Sequence, residues 1–296
     1  MDTIKTSLPT PHSPLTLVEC PRDAMQGWSR FIATADKIRY LNALLQVGFD
    51  TLDFGSFVSP KAIPQMADTR EVIAGLDLSG SATQLLAIVA NTRGAEEAVV
   101  FDEIRYLGFP FSLSPTFQLR NTNSSPEESV QRVESIQELC IRNSKEMVVY
   151  LSMGFGNPYG DAYTEDILLY WADEMHRRGI HTLSLADTVG VATPEQIRFA
   201  LQTLIPRYPD IRFGVHLHSG PGQWLAKTEA ALDAGCLRFD GALKGIGGCP
   251  MAQDELVGNM DTELLIGYFE QKGLLQHLNK KALAESLQIA ADIFVH

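Results

Sequence analysis

Two histidines with one residue between them, in Gly214-Val215-His216-Leu217-His218, are the side chains best suited to chemistry in this sequence. The stretch reads as a β-strand, where a two-residue spacing sends both imidazoles to the same face. Neutral ring nitrogens directed the same way make a ready pair of metal ligands. The ordinary alternative is one satisfied core histidine and one on the surface, so the weight rests on what converges with them. Other able groups lie in Glu19-Cys20-Pro21-Arg22-Asp23, at Asp53 and at Asp187. A further set lies in the glycine-rich Lys244-Gly245-Ile246-Gly247-Gly248-Cys249-Pro250, which leads on to Gly258-Asn259.

For these groups to meet, regular elements must deliver them to one place. Near-continuous apolar runs predict strands at Leu15–Cys20, Thr51–Ser56, Thr83–Ala90, Ala98–Glu103, Met147–Met153, Thr182–Asp187, Phe213–His218 and Arg238–Leu243. Such runs suit parallel strands covered by helices. Between them a weak repeat recurs, a helical segment closed by glycine and followed by a strand, at Gly48, Gly94, Gly179 and Gly235. Ser125-Pro126-Glu127-Glu128 and Thr193-Pro194-Glu195-Gln196 read as helix starts, with a capping hydroxyl, a first-turn proline and acidic or amide groups at the positive dipole end. Eight strands with helical crossovers in about 240 residues match the size of a (β/α)8 barrel. An open doubly wound sheet is the competing architecture. The expected organisation is an irregular lead-in at residues 1–14, then one α/β TIM-barrel domain over 15–296 whose last part, from Asp261 onward, adds helices.

Composition narrows the function. With 296 residues, 45% hydrophobic, the chain is an ordinary globular protein. A net charge of −12 argues against non-specific nucleic-acid binding. The lead-in carries no apolar core with a cleavage site, and no run approaches the roughly 20 apolar residues that span a bilayer, so a cytoplasmic protein is expected. Four scattered cysteines form neither a disulfide framework nor a CxxC zinc pair. Cys20, Cys140 and Cys236 read as buried structural thiols, whereas Cys249 sits between glycine and proline.

In such a barrel the chemistry gathers at the C-terminal ends of the strands. Asp23, His216 and His218, with an amide oxygen from Asn259, can there meet on one divalent cation and leave positions for substrate or water. Oxygen and imidazole donors suit Mg2+, Mn2+ or Zn2+, and thiolate-rich zinc is disfavoured. Each member also has a bland use: Asp23 and Asp187 as turn or helix caps, Arg22 as a surface ion-pair partner, Asp53 as the partner of a buried cation. The glycine loop lacks the Lys-Ser/Thr of a phosphate loop, and a mobile loop carrying a thiol accounts for it better.

These residues carry a resemblance. The stretches VECPRDAMQ, SFVSPKAIPQM, SLADTVGVATPEQ, GVHLHSGPGQWLAKTEAALDAG and GIGGCPMAQDELVGN, running from about residue 15 to 265, resemble the 3-hydroxy-3-methylglutaryl-CoA lyases, a DRE-TIM metallolyase family of (β/α)8 barrels. The resemblance implies Asp23, His216, His218 and Asn259 around Mg2+ or Mn2+. It makes Arg22 the neutraliser of a developing enolate oxygen, Cys249 a mobile-loop proton carrier and Asp187 a polar partner of the substrate hydroxyl. Gln26, Asp53 and Lys61 fall on the substrate's side, with Lys61 and Lys244 as a basic rim for CoA. The implied reaction cleaves 3-hydroxy-3-methylglutaryl-CoA, or a close 3-hydroxyacyl-CoA, to acetyl-CoA and acetoacetate. The expected partner is thus an acyl-CoA, with neither nucleic acid nor membrane, and a homodimer is an assembly such barrels often form.

The sequence departs from the family's pattern in four places. Ala24-Met25-Gln26-Gly27-Trp28 replaces its Gly-Leu-Gln-Asn-Glu, Asp53 stands for Glu, Phe101-Asp102-Glu103-Ile104-Arg105 lacks its Ala-Ser-Glu run, and the loop from Cys249 to Asn259 is one residue longer than in the animal enzymes. Two other readings compete: an acetyl-CoA-dependent Claisen-type synthase of the same superfamily, and a non-catalytic metal-binding barrel. The Gly-Gly-Cys-Pro loop and the short stretch after Asp261 favour the lyase over the synthase. Intact Arg22, Asp23 and Cys249 speak against a mere binding protein.

Overall fold

The structure, a computed structural model, describes residues 15–220, 222–248 and 257–295. Eight parallel strands close into a barrel in chain order: β1 (Thr16–Glu19), β2 (Thr51–Ser56), β3 (Gln84–Ile88), β4 (Ile104–Ser112), β5 (Glu146–Ser152), β6 (Thr182–Asp187), β7 (Arg212–Leu217) and β8 (Arg238–Gly241). Closure is made by β1 on β8, from Thr16 opposite Arg238 to Glu19 opposite Gly241. The fold is therefore the (β/α)8 barrel, and the open sheet is excluded.

After β1 comes α1 (Pro21–Gln26), and α2 (Thr34–Leu45) completes that crossover. Next are α3 (Thr69–Ala74), α4 (Thr92–Ala98), α5 (Pro115–Thr122) and α6 (Pro126–Arg142). The circuit ends with α7 (Glu165–Arg177), α8 (Pro194–Arg207) and α9 (Trp224–Asp233), followed by α10 (Thr262–Gln271) and α11 (Lys280–Ile293). Ser125 and Thr193 cap α6 and α8 through reciprocal capping boxes, each with proline in the first turn. The final helix, α11, packs on α2, and Phe294 just beyond it meets Trp28 and Tyr40 edge-on at 5.2 and 6.1 Å.

One strand lies elsewhere than expected. Ala98 ends α4, and the chain from 99 to 103 is a connection; the fourth strand is Ile104–Ser112. Gly108 and Pro110 disguise it, since both residues weaken a strand reading. Gly108 is needed because a Cβ would stand 2.5 Å from Ile88 Cδ1 in the barrel interior. Pro110 lies beyond Gly108, the last β4 residue paired with β3, where that edge is free of ladder bonds. Phe109 and Phe111 are thus fully buried strand residues. The segment following strand four is accordingly 113–123, and Phe101–Arg105 runs from the α4–β4 connection into the first two residues of that strand. Gly94 is a second correction. It lies in the first turn of α4 behind the Asn91 cap, where a Cβ would strike the Phe57 carbonyl at 2.3 Å. Gly48, Gly179 and Gly235 do take the left-handed conformation, with φ of 91°, 71° and 92°.

Candidate active site and metal centre

The short helix α1 starts directly after β1, so Arg22 and Asp23 stand at the barrel mouth and are buried there. Arg22 is clamped. Its Nε donates to both Asp53 oxygens at 3.2 and 3.0 Å, Nη2 donates to Asp53 Oδ2, and Nη1 donates to Asp23 Oδ1 at 2.9 Å. Burial opposes its charge, but Asp53 and Asp23 outweigh that and hold the guanidinium more firmly protonated than usual. Asp23 Oδ1 also accepts from Gln26 Nε2 at 2.8 Å, and its Oδ2 accepts from Asn259 Nδ2 at 2.7 Å. Burial alone would raise the Asp23 pKa. Arg22 and the two nearby imidazoles more than offset it, lowering the carboxyl to about 2.

Ligand atoms of Asp23, His216 and His218 lie within 4.8 Å of one another. The rings are set by their far nitrogens. His216 Nδ1 is 3.2 Å from Asp240 Oδ2, and His218 Nδ1 is 3.0 Å from the Val257 carbonyl. Both partners accept, so each Nδ1 donates a proton to its partner and each Nε2 is the nitrogen turned toward a metal, the pattern that orients metal-bound histidines. The two Nε2 atoms are 3.3 Å apart. Register explains the first contact, because His216 on β7 faces Asp240 on β8. Asp240 is held in turn by Arg238 Nη1 at 2.7 Å, for which Gly214 leaves room in the barrel interior. Burial, helped by the nearby His216, pushes His218 down to about 4, so it is a neutral ligand.

Cys20, His216 and Asp240 form a second group with ligand atoms equally close. Burial, with Asp240 adding, pushes the Cys20 thiol well above its ordinary pKa. A protonated thiol is a poor ligand, so the donor chemistry favours Asp23, His216 and His218.

A cavity of about 360 Å³ opens on these groups. Arg22, Asp23, Gln26, His216 and His218 line it, with Phe117 on its apolar wall. Asp53 stands behind Arg22, and Asn259 beside Asp23; neither lines the cavity. Asp187 does not line it either. It is paired with Lys227 at 2.8 Å and accepts from the Ala192 N–H at 3.1 Å, while the next residue, Thr188, reaches the cavity. Lys61 is exposed in the β2–α3 connection and is not part of the wall. Cys249 lies outside the described residues.

Three supporting residues escaped the sequence reading. Asp240 and Arg238 share one face of β8, and the rule that singled out Asp53, an acid inside an apolar strand, applies equally to Asp240. Lys227 is fully buried on α9 and donates to Asp187, to Gly190 O at 3.1 Å and to His218 O at 2.8 Å. Its signal is a lysine set in the inward stripe of that helix.

The HMGL-like family model matches residues 17–289. The chain belongs to the HMGL-like family. Relatives of this HMGL-like chain include a hydroxymethylglutaryl-CoA lyase of Bacillus subtilis, 33% identical over 263 residues, 89% of this chain and 87% of that protein. A Pseudomonas aeruginosa protein named 3-hydroxy-3-isohexenylglutaryl-CoA/hydroxy-methylglutaryl-CoA lyase is 33% identical over 82% of this chain and 80% of its own. Among solved structures, an HMG-CoA lyase from Acinetobacter baumannii in complex with coenzyme A and 3-methylmalate superposes with a TM-score of 0.88 at 30% identity, over 96% of this chain and 92% of that one. The HMGL-like chain is therefore a lyase. Among its described residues no helix is long and apolar enough to cross a membrane.

Proposed function

We propose that this lyase cleaves 3-hydroxy-3-methylglutaryl-CoA to acetyl-CoA and acetoacetate, or a close 3-hydroxyacyl-CoA to acetyl-CoA and the corresponding keto acid. The observation that carries the reading is a buried, doubly clamped Arg22 on the same cavity as the Asp23, His216 and His218 group. Cleavage breaks the bond between the carbinol carbon and the methylene beside the thioester. The hydroxyl gives up its proton to a water in the solvent-open cavity, and its oxygen becomes the ketone of acetoacetate. The bonding pair moves into the thioester as an enolate, which takes a proton to become the methyl of acetyl-CoA.

Arg22 is worth most where charge newly forms, at the enolate oxygen. Its two carboxylate partners spare it any reorientation as that charge appears. Asp23, His216 and His218, with Asn259 beside them, are the residues to hold Mg2+ or Mn2+, whose chemistry is to polarise the substrate's oxygens. Gln26 braces Asp23, and Asp53 braces Arg22. We assign the returning proton to the Cys249 thiol and leave Asp187 the place next to Thr188, braced by Lys227.

The test is turnover with metal-stripped protein and 3-hydroxy-3-methylglutaryl-CoA. Restored Mg2+ or Mn2+ should yield acetoacetate and acetyl-CoA in equal amounts. Stoichiometric metal binding without either product would overturn the substrate.

A further inference from the structure

Side chains alternate along a regular strand, so Asp53 and Ser56 on β2 would normally point to opposite faces. They do not here. The pairing of β2 with β3 slips between Asp53 and Gly55, an irregularity that changes the phase of the strand. Gly55 is directed at the helix layer, where a Cβ would stand 2.8 Å from Thr69 Cγ2 of α3. Asp53 meets Arg22, and Ser56 lines the cavity. The bulge thus brings Asp53 and Ser56 to the same interior face.

Ser56 is 3% exposed and its Oγ has no hydrogen-bond partner. Its backbone N–H is engaged by Thr69 Oγ1 at 3.3 Å, so only the hydroxyl is idle. Three buried side-chain oxygens among the described residues lack a partner, on Ser56, Thr83 and Gln137. Of these residues Ser56 alone lines the cavity. A buried hydroxyl left unpaired is unfavourable, and its persistence calls for an acceptor that arrives from outside the chain. Beside it, Arg22 has five N–H donors, of which its contacts to Asp53 and Asp23 engage three.

We propose that Ser56 is a catalytic residue that donates its hydroxyl hydrogen bond to the thioester carbonyl oxygen of the acyl-CoA, the oxygen on which enolate charge collects, alongside Arg22. This rests on the proposed reaction. The thioester oxygen is the matching acceptor because Ser56 shares its strand face with the carboxylate that aims Arg22, whereas the imidazoles stand on β7. A preorganised donor is worth more as its acceptor gains charge, so the contribution falls on the chemical step.

Ser56→Ala removes the hydroxyl without breaking any bond within the protein. Melting temperature and Mn2+ affinity should equal those of the parent, which separates the effect from misfolding. Two rates are then compared with Mg2+ bound. One is cleavage of 3-hydroxy-3-methylglutaryl-CoA; the other is exchange of the acetyl-CoA methyl protons with deuterated water, followed by NMR. Exchange needs enolisation but not the larger substrate. Ser56→Ala should lower kcat and exchange about 10²-fold, with KM changed only a few-fold. Parent-like rates in Ser56→Ala, or a loss confined to KM, would overturn the assignment. Parent enzyme that exchanges acetyl-CoA protons without cleaving 3-hydroxy-3-methylglutaryl-CoA would sink the named substrate, while the exchange rates still decide Ser56.

Discussion

His216 Nε2 and His218 Nε2 face each other at 3.3 Å, with the protons of both rings committed to Asp240 and to the Val257 carbonyl. Two nitrogens at that separation can share one proton between them, and a cation placed by Asp23 can take that proton's place. The arrangement is that of a site shaped for a metal by the groups behind its ligands.

Mn2+ should therefore raise the melting temperature of the parent protein, by an amount equal to about 2.7 kcal/mol when free metal stands at 100 times its Kd. A chelator should reverse the rise. His216→Ala and His218→Ala should show no such response. Asp240→Asn keeps the volume but loses the charge behind His216, and Mn2+ affinity read by electron paramagnetic resonance should weaken about 10- to 100-fold. Unchanged affinity in Asp240→Asn would mean that ring orientation does not depend on Asp240.

Arg22 and Asp53 give a prediction about rate. Asp53 fixes two edges of the guanidinium and takes no part in the cavity wall. Asp53→Ala should lower kcat about 10²-fold through misplacement of Arg22, with metal affinity retained. Arg22→Lys should fare no better, because an ammonium cannot bridge Asp53 and Asp23 while offering further donors to the substrate. Single-turnover rates at saturating metal check both variants.

What the sequence disclosed follows a physical rule. His216 and His218 were legible because strand period alone places them, and Asp53 because an acid inside an apolar strand needs a partner. Capping boxes at Ser125 and Thr193 are local chemistry and were legible for the same reason. Strand four was not, since Gly108 and Pro110 are explained only by neighbours distant in sequence: the Ile88 side chain and the early end of β3. Ser56 was hidden more deeply. Alternation from Asp53 sends it to the wrong face, and only the pairing with β3 discloses the bulge.

Lys227 supplies a stability prediction. Its ammonium and the Asp187 carboxylate are both about fully buried, and Lys227 also ties the carbonyls of Gly190 and His218. Lys227→Met leaves a buried carboxylate unpaired, at a cost of about 3–5 kcal/mol. Adding Asp187→Asn removes the stranded charge, so the double variant should recover much of the loss. Urea unfolding of the two single variants and the double variant measures the coupling. Strict additivity would show that the two side chains do not depend on each other.

Glu19 gives the pH dependence. At the end of β1 it accepts from the Leu243 N–H at 2.8 Å and from the Thr262 hydroxyl at 2.6 Å, which ties the first strand to the chain after the eighth. Burial is the largest influence on its carboxyl. The two hydrogen bonds pull the other way, Glu263 and Asp261 add repulsion, and the pKa rises from 4.5 to about 8. At neutral pH the folded chain thus holds a proton that the unfolded chain has released. The stability this contributes is full below the unfolded value of 4.5 and is lost as pH rises through about 8. Each unit in that window weakens the fold by about 1.4 kcal/mol. Glu19→Gln stays neutral, keeps its amide oxygen as acceptor for the Leu243 N–H and turns its NH2 to the Thr262 hydroxyl oxygen, which can accept, so its urea midpoint should change less than the parent's between about pH 5 and pH 8. Parallel curves for parent and variant across that range would mean that Glu19 is ionised in the folded chain.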